Sequence, residues 1–289
     1  MAQAPQLNDS QLNLLAKIAA NTGETQPKHG DGQHNLLYKI AQNTYASSGL
    51  AGSALQSSGD GYVLCQQGDN LAAKYAEAKA KSPSATNRVT LFIVPGTYSL
   101  SSELAIDAEY VDIVGLGAQF QSPAVIVTNN TLNITANDVR VSGISVGTQQ
   151  FKIGNNKSLQ VFENCTGGIG SFGTSQGSVV SGKFTNCVGL EESFGGTGGT
   201  ASGVFTNCSA AAGSFGGGVP EADASGVFLN CSAGGSSFGG GPGDDGNLTG
   251  KLISCRIIDI GASYRTPSGS GIIRFCLDGD NNIVNADAP

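Results

Sequence analysis

The residues of this chain that could do chemistry begin with its seven cysteines, six of which fall into a rhythm. Cys165, Cys187, Cys208 and Cys231 each close a four-residue phrase: Phe162-Glu163-Asn164-Cys165, Phe184-Thr185-Asn186-Cys187, Phe205-Thr206-Asn207-Cys208 and Phe228-Leu229-Asn230-Cys231. Cys255 and Cys276 keep the same i, i+3 relation to Leu252 and Ile273. Thiols in such an array could ligate a metal, form disulfides or pack as small hydrophobes. Free cysteine is among the most buried residue types, which favours a column of buried thiols. Disulfides between adjacent turns would lie near the lower limit of bridge geometry. A metal site would lack imidazole support, because the two histidines, His29 and His34, fall outside the repeat. The expectation is that no metal and no cofactor is bound.

Sugar cleavage would require paired carboxylates, or an Arg or Lys base beside an acidic calcium site, on one face. The acidic candidates are Glu163, the pair Glu191 and Glu192, Glu221 with Asp223, Asp244 with Asp245, and Asp278 with Asp280. Equivalent places in the repeats carry Ser, Thr, Gly and Ala, and no partner completes any set, so no catalytic residue is assigned. Nucleophile-histidine catalysis lacks a well-placed histidine. The glycine clusters lack the Lys-Ser/Thr and the helix of a phosphate loop. The phenylalanines at Phe172, Phe194, Phe215 and Phe238 could form an exposed stripe for sugar stacking. Contiguous exposed apolar patches are rare, so a ladder inside the fold is the expected place for them.

These residues must be positioned by a repeating unit. The cysteines are spaced 22, 21 and 23 residues apart, and a Ser-Phe-Gly triplet follows each, its Phe seven residues on, from Ser171-Phe172-Gly173 to Ser237-Phe238-Gly239. A period of this size without helix formers predicts a coil of short parallel strands, one turn per repeat, with turns about 4.8 Å apart. Phe205 and Cys208 would face opposite sides of a straight strand, yet both residue types prefer burial, so the chain must bend between them. Asn207, like Asn164, Asn186 and Asn230, stands at that bend, where asparagine tolerates the left-handed conformation. Gly167, Gly189 and Ala233 share the place of Ala210, which predicts a narrow interior strip.

The repeat, with Phe92-Ile93-Val94-Pro95-Gly96-Thr97-Tyr98 and Val111-Asp112-Ile113-Val114-Gly115-Leu116-Gly117 ahead of it, resembles the right-handed parallel β-helix of the pectate-lyase-like superfamily. The resemblance covers roughly residues 60 to 289 and implies a mainly β, single-stranded solenoid of about 21–24 residues per turn. The NTD, GHG and RIK motifs of the polygalacturonase branch are absent, as is a matching set of pectate-lyase calcium ligands.

Domain organisation follows from composition. Residues 1–45 contain a second repeat, in which Asn13-Leu14-Leu15-Ala16-Lys17-Ile18 returns as Asn35-Leu36-Leu37-Tyr38-Lys39-Ile40. Leu14, Leu15 and Ile18, and again Leu36, Leu37 and Ile40, give each short helix one apolar face, too little to stand alone in water. They are predicted to attach to another subunit, the alternative being that they pack on this chain's own β-helix. Residues 46–61 read as a flexible linker rich in Ser, Gly and Ala. Residues 62–289 form the β-helix domain, with a capping helix over 69–81 in which Asp69 or Asn70 caps and Leu71, Tyr75 and Ala78 form the apolar stripe. The tail after Asp278 is polar, so the last turn is covered either by partner chains or by the tail folding back.

A net charge of −7 argues against a phosphate-binding surface, no apolar run is long enough to span a membrane, and no secretory h-region follows Met1. The doubled NLLxKIAxNT phrase resembles short helical segments near the start of tailed-bacteriophage virion proteins. That resemblance implies a non-enzymatic virion component, a fibre, spike or capsid decoration, made in the host cytoplasm. Resemblance to phage β-helix proteins implies a homotrimer, with capsid or tail proteins as partners and a host surface glycan as a further one; nucleic acid and membrane insertion are not expected. The rival readings are a small tailspike that depolymerises polysaccharide and a carbohydrate-binding adhesin.

Overall fold

A computed structural model describes residues 61–117, 123–173, 178–195, 198–217, 222–240, 247–259 and 268–287, all within the unit Gly61–Pro289. The amino-terminal attachment residues Leu14, Leu15, Ile18, Leu36, Leu37 and Ile40 lie outside the described residues, as do His29, His34, the linker up to Asp60, Glu221, Asp244, Asp245 and Tyr264.

The described chain is a parallel β-solenoid. Its main wall belongs to a 13-stranded sheet that climbs from Tyr62–Cys65 through Val89–Ile93, Val111–Gly115, Arg140–Ser142 and Val161–Glu163. It continues through Lys183–Thr185, Val204–Thr206, Val227–Leu229 and Lys251–Ile253 to Ile272–Leu277. Every step is parallel and in register: Val161 pairs with Lys183, Lys183 with Val204, Val204 with Val227 and Val227 with Lys251. A second wall runs through Gly96–Ser99, Val125–Thr128 and Ile144–Ser145, then narrows to single bridges linking Ser145, Thr166, Val188, Ser209 and Ser232. The third wall comprises two separate sheets: Leu104–Ile106, Leu132–Ile134 and Phe151–Ile153, whose next step is a bridge from Lys152 to Gly173, and, further along the later turns, Val179–Val180, Thr200–Ala201, Asp223–Ala224 and Asn247–Leu248.

The strands are short because alternation along each can bury only the middle residue of three, and the chain must then turn to bury the next. Phe184 is fully buried between Lys183 and Thr185, and Phe205 likewise between Val204 and Thr206. Asn164, Asn186, Asn207 and Asn230 make the turn with φ between 51° and 56°. Beyond it the cysteines point inward again, each no more than 1% exposed.

At the amino-terminal end, helix Leu71–Ala80 buries Leu71, Tyr75 and Ala78, and Asn70 caps it by accepting a hydrogen bond from the Ala73 amide at 3.0 Å. Asp69 instead accepts from the Gln66 amide. The helix is pinned by Tyr75, whose hydroxyl donates to Asp107 Oδ1 at 3.1 Å and accepts from the amides of Asp107 and Ala108 at 2.9 Å. Nearby, Arg88 clasps Asp112 with two hydrogen bonds of 2.9 and 2.5 Å and reaches Asp138 at 2.6 Å, tying successive turns together.

The carboxyl-terminal end settles how the last turn is covered. The tail folds back: Asp278 accepts the amides of Asp280 and Asn282, and Ile283–Asp287 runs antiparallel to Ile272–Leu277. Val284 and Ala286 pack against the core, so a polar-looking tail closes the stack with two small apolar residues.

Two glycine positions show how tightly the turns approach. Gly216, in the third Ser-Phe-Gly triplet, has φ of 65°, and a Cβ there would lie 1.9 Å from the Asp223 carbonyl oxygen. Gly203 sits where the third wall meets the main wall, and its Cβ would lie 2.2 Å from the Gly182 oxygen one turn below. Gly216→Ala is therefore expected to cost well over about 1 kcal/mol, through both strain and collision, read as a lower urea midpoint at unchanged m-value.

Candidate functional site

The repeated letters assemble into continuous interior columns. Phe162, Phe184, Phe205 and Phe228 stack in one, with ring centroids 5.1, 5.0 and 5.0 Å apart and planes within 7° of parallel. Phe151, Phe172, Phe194, Phe215 and Phe238 stack in the other at 5.1, 4.7, 4.8 and 5.0 Å. Rings of one column meet the other edge-on, as Phe205 meets Phe215 at 5.5 Å and 80°. The resulting herringbone combines the two arrangements that aromatic quadrupoles favour. The second column is inside the fold, not on its surface, and Phe172, Phe194, Phe215 and Phe238 are all 0% exposed.

On the outer bend the asparagine amides form a ladder. Asn186 Nδ2 donates to Asn164 Oδ1 at 3.1 Å, Asn207 to Asn186 at 3.2 Å, and Asn230 to Asn207 at 3.3 Å. Asn207→Ala removes two of these bonds and a residue type that tolerates positive φ, so it should destabilise by about 1–3 kcal/mol. Asn207→Gly keeps the backbone but not the bonds, and comparing the two melts separates the contributions.

The thiols of Cys165, Cys187, Cys208, Cys231, Cys255 and Cys276 are free and buried, as is Cys65. Cys208, Cys231 and Cys255 donate to the carbonyls of Phe184, Phe205 and Phe228, one turn below, at 3.5, 3.4 and 3.3 Å. Burial pushes the thiols of Cys187 and Cys231 well above the ordinary range, and that of Cys65 up to about 12. Hydrogen bonding to Cys231 raises Cys255 to about 12. Against the effect of burial, hydrogen bonds from Cys187 and Cys231 hold the Cys208 thiol well below its ordinary value. Nucleophilic chemistry needs both a thiolate and access, and burial denies access to all seven cysteines. The native protein should react with a thiol reagent such as DTNB only as fast as it unfolds, which a denaturant titration of labelling rate would show.

Sequence reasoning missed two further columns. Ser171, Ser193, Ser214 and Ser237 are buried, and Ser214 and Ser237 accept hydrogen bonds from the amides of Ser193 and Ser214 at 3.2 and 3.0 Å. They lie opposite the narrow strip: a Cβ on Gly167 or Gly189 would come within 2.4 Å of Ser171 or Ser193 Cβ. The signal was the Ser of the triplet, conspicuous as a repeat but silent about burial. A second column, Gly182, Gly203, Gly226 and Gly250, recurs two residues ahead of each buried Phe or Leu, and each would place a Cβ within 2.7 Å of a carbonyl oxygen one turn below.

The acidic candidates are not gathered into a site. Glu163 pairs with Arg140 on the main wall. Glu191 and Glu192 are exposed on one corner, Asp223 accepts from the Asn247 amide on the third wall, and Asp278 closes the terminal turn. Among the described residues no group of three or more His, Cys, Asp or Glu is placed to hold a metal ion, and no helix is long and apolar enough to cross a membrane.

No protein-family model matches the sequence, and no curated protein matches it. Among solved structures, the ORF18 protein of Geobacillus virus E2 is similar. Its alignment has a TM-score of 0.38 at 12% identity and covers 87% of this chain and 62% of that one. This chain thus spans less than two thirds of the protein it matches, and at that score the likeness adds nothing to the architecture already described.

Proposed function

We propose that this protein is a structural component of a bacteriophage virion, a fibre, spike or capsid decoration, in which the solenoid projects as a stiff shaft and residues 1–45 attach it. The observation that carries the reading is the unbroken set of interior columns: identical side chains stacked turn on turn make a wall that resists bending and proteolysis. The doubled NLLxKIAxNT phrase, with its resemblance to virion attachment segments, supports the placement of the anchor. The carboxylates of the described walls are dispersed, which favours a mechanical role over sugar cleavage.

Deleting residues 1–45 is expected to leave a folded, β-rich protein that no longer joins particles, read by circular dichroism and by mass spectrometry of purified virions. Normal incorporation of the truncated chain would overturn the anchoring role. Release of new reducing or unsaturated ends from host capsule or lipopolysaccharide would replace the structural reading with a depolymerase.

A further inference from the structure

From Val89–Ile93 to Lys251–Ile253 every strand of the main wall is paired on both sides, but the strand that closes the stack is not. Among the described residues Ile283–Asp287 pairs only with Ile272–Leu277, and its outer edge meets no other strand. The Asp278 amide donates to the Asn282 carbonyl at 3.1 Å, so alternation along the strand turns the backbone groups of Ile283 and Asn285 to that open edge. Edges that must stay single are commonly blunted by Lys, Pro or a short length. This one carries neither Lys nor Pro, runs for five residues and presents Ile283 at 71% exposure.

The strand is also complementary to itself. Turned antiparallel about Asn285, it would set Asn285 against Asn285, Val284 against Ala286, and Ile283 against Asp287 of a second copy. No like charges are then opposed, and Asp287, the strand's one charged residue, is already held by Arg274 of its own chain at 2.5 Å. Val284 and Ala286 keep their inward side in both copies, where a shift of one residue would turn them out to solvent. Both are only half-buried in the single chain, packed against the core from one side. Asn285 Oδ1 accepts the Phe275 amide at 2.8 Å, which leaves its Nδ2 to reach the facing Asn285 as the bend asparagines reach one another.

We infer that two copies of this chain join end to end, Ile283–Asp287 of one pairing antiparallel with Ile283–Asp287 of the other. The two main walls then run on as one sheet, and Val284 and Ala286 become an internal layer between the two cores. Backbone hydrogen bonds at the open edge give the contact its direction, and burial of the half-covered apolar residues adds to it. The contact is isologous, so it closes as a pair and does not propagate. It lies at the tip, independent of any lateral association and of the virion reading, and its failure would leave both untouched.

Negative-stain micrographs of the full chain should show shafts twice as long as those of an Ile283→Lys variant, and sedimentation velocity should show the particle mass halved by that substitution. Ile283 is exposed, so circular dichroism of the variant should match the wild type. Directly opposed residues of antiparallel strands lie about 5.5 Å apart at Cα, within disulfide reach. Asn285→Cys should therefore link two chains through residue 285 in oxidised glutathione, the seven native thiols being buried. Ile283→Cys, which faces Asp287, should link at least tenfold less, and Ile283→Cys with Asp287→Cys should restore the link. Wild-type shafts of single length would overturn the proposal, as would a mass indifferent to Ile283→Lys or a link formed more readily by Ile283→Cys than by Asn285→Cys.

Discussion

Above about pH 9 the solenoid should unfold over a narrow pH range. The thiols of Cys65, Cys187, Cys231, Cys255 and Cys276 are all held above the ordinary value, by burial at Cys65, Cys187 and Cys231 and chiefly by hydrogen bonding along the thiol column at Cys255 and Cys276. A folded-state pKa raised in this way contributes stability that is fully present below the unfolded value of about 8.5. That contribution is lost as pH climbs from there towards the folded values, because the unfolded chain sheds protons that the native chain keeps. Each such thiol costs up to about 1.4 kcal/mol per pH unit, so five together cost at most about 7 kcal/mol per unit against a typical total of about 5–15 kcal/mol, while Cys208, held below its ordinary value by its neighbours, adds nothing in this range. Circular dichroism across the alkaline range, with a reductant present, should show one steep transition, and Cys231→Ala should make it shallower by about a fifth. A fold that survives beyond about pH 11 while the absorbance of several thiolates develops would show that Cys65, Cys187, Cys231, Cys255 and Cys276 ionise in place, contrary to their raised values.

Phe205→Ala should be among the most damaging single truncations in the chain. Phe205 stacks on Phe184 and Phe228 at 5.0 Å and meets Phe194 and Phe215 edge-on at 5.7 and 5.5 Å, so its loss opens the middle of the herringbone. Walls built of backbone hydrogen bonds cannot collapse into the gap, and the expected cost is about 3–5 kcal/mol. Turns in a solenoid depend mainly on their nearest neighbours. Hydrogen exchange should therefore accelerate first in Lys183–Thr185 and Val227–Leu229. Phe275→Ala provides the contrast: that ring is 69% exposed, and its removal should shift stability by no more than about 0.5 kcal/mol. Equal effects at the two sites would mean that the stacked rings are not what holds the turns together.

The parts of this fold that were legible in the sequence are those where one residue type recurs in one environment. Phe, Asn and Cys recur at fixed spacing, and their burial preference and backbone tolerance together specify an inward residue, a bend and another inward residue. The Ser-Phe-Gly triplet recurs as plainly, yet its conformation was hidden. Phe172, Phe194, Phe215 and Phe238 have φ between 53° and 58°, a region that bulky residues seldom occupy and that no propensity points to. They hold it because the second ring column takes their side chains inside while the backbone turns the corner. The glycine column was obscured because Gln160 interrupts it: this fully buried side chain occupies the place taken by Gly182, Gly203 and Gly226 in later turns and bonds the Ala136 carbonyl at 2.6 Å. The closing strand Ile283–Asp287 gave no periodic signal because it pairs antiparallel, outside the repeat. Scattered carboxylates could be named from the sequence, but only the walls show that Glu163 serves an ion pair, Asp223 a strand and Asp278 a turn.

The registered pairing of Phe162, Phe184, Phe205 and Phe228 makes consecutive units interchangeable. Excising or duplicating one whole unit brings the same letters back into the same pairings, leaving the helix at one extremity and the reversed strand at the other undisturbed. Reach can therefore change in quanta of about 4.8 Å, so a lineage could retune how far this protein extends by recombination within its own gene, without redesigning either terminus.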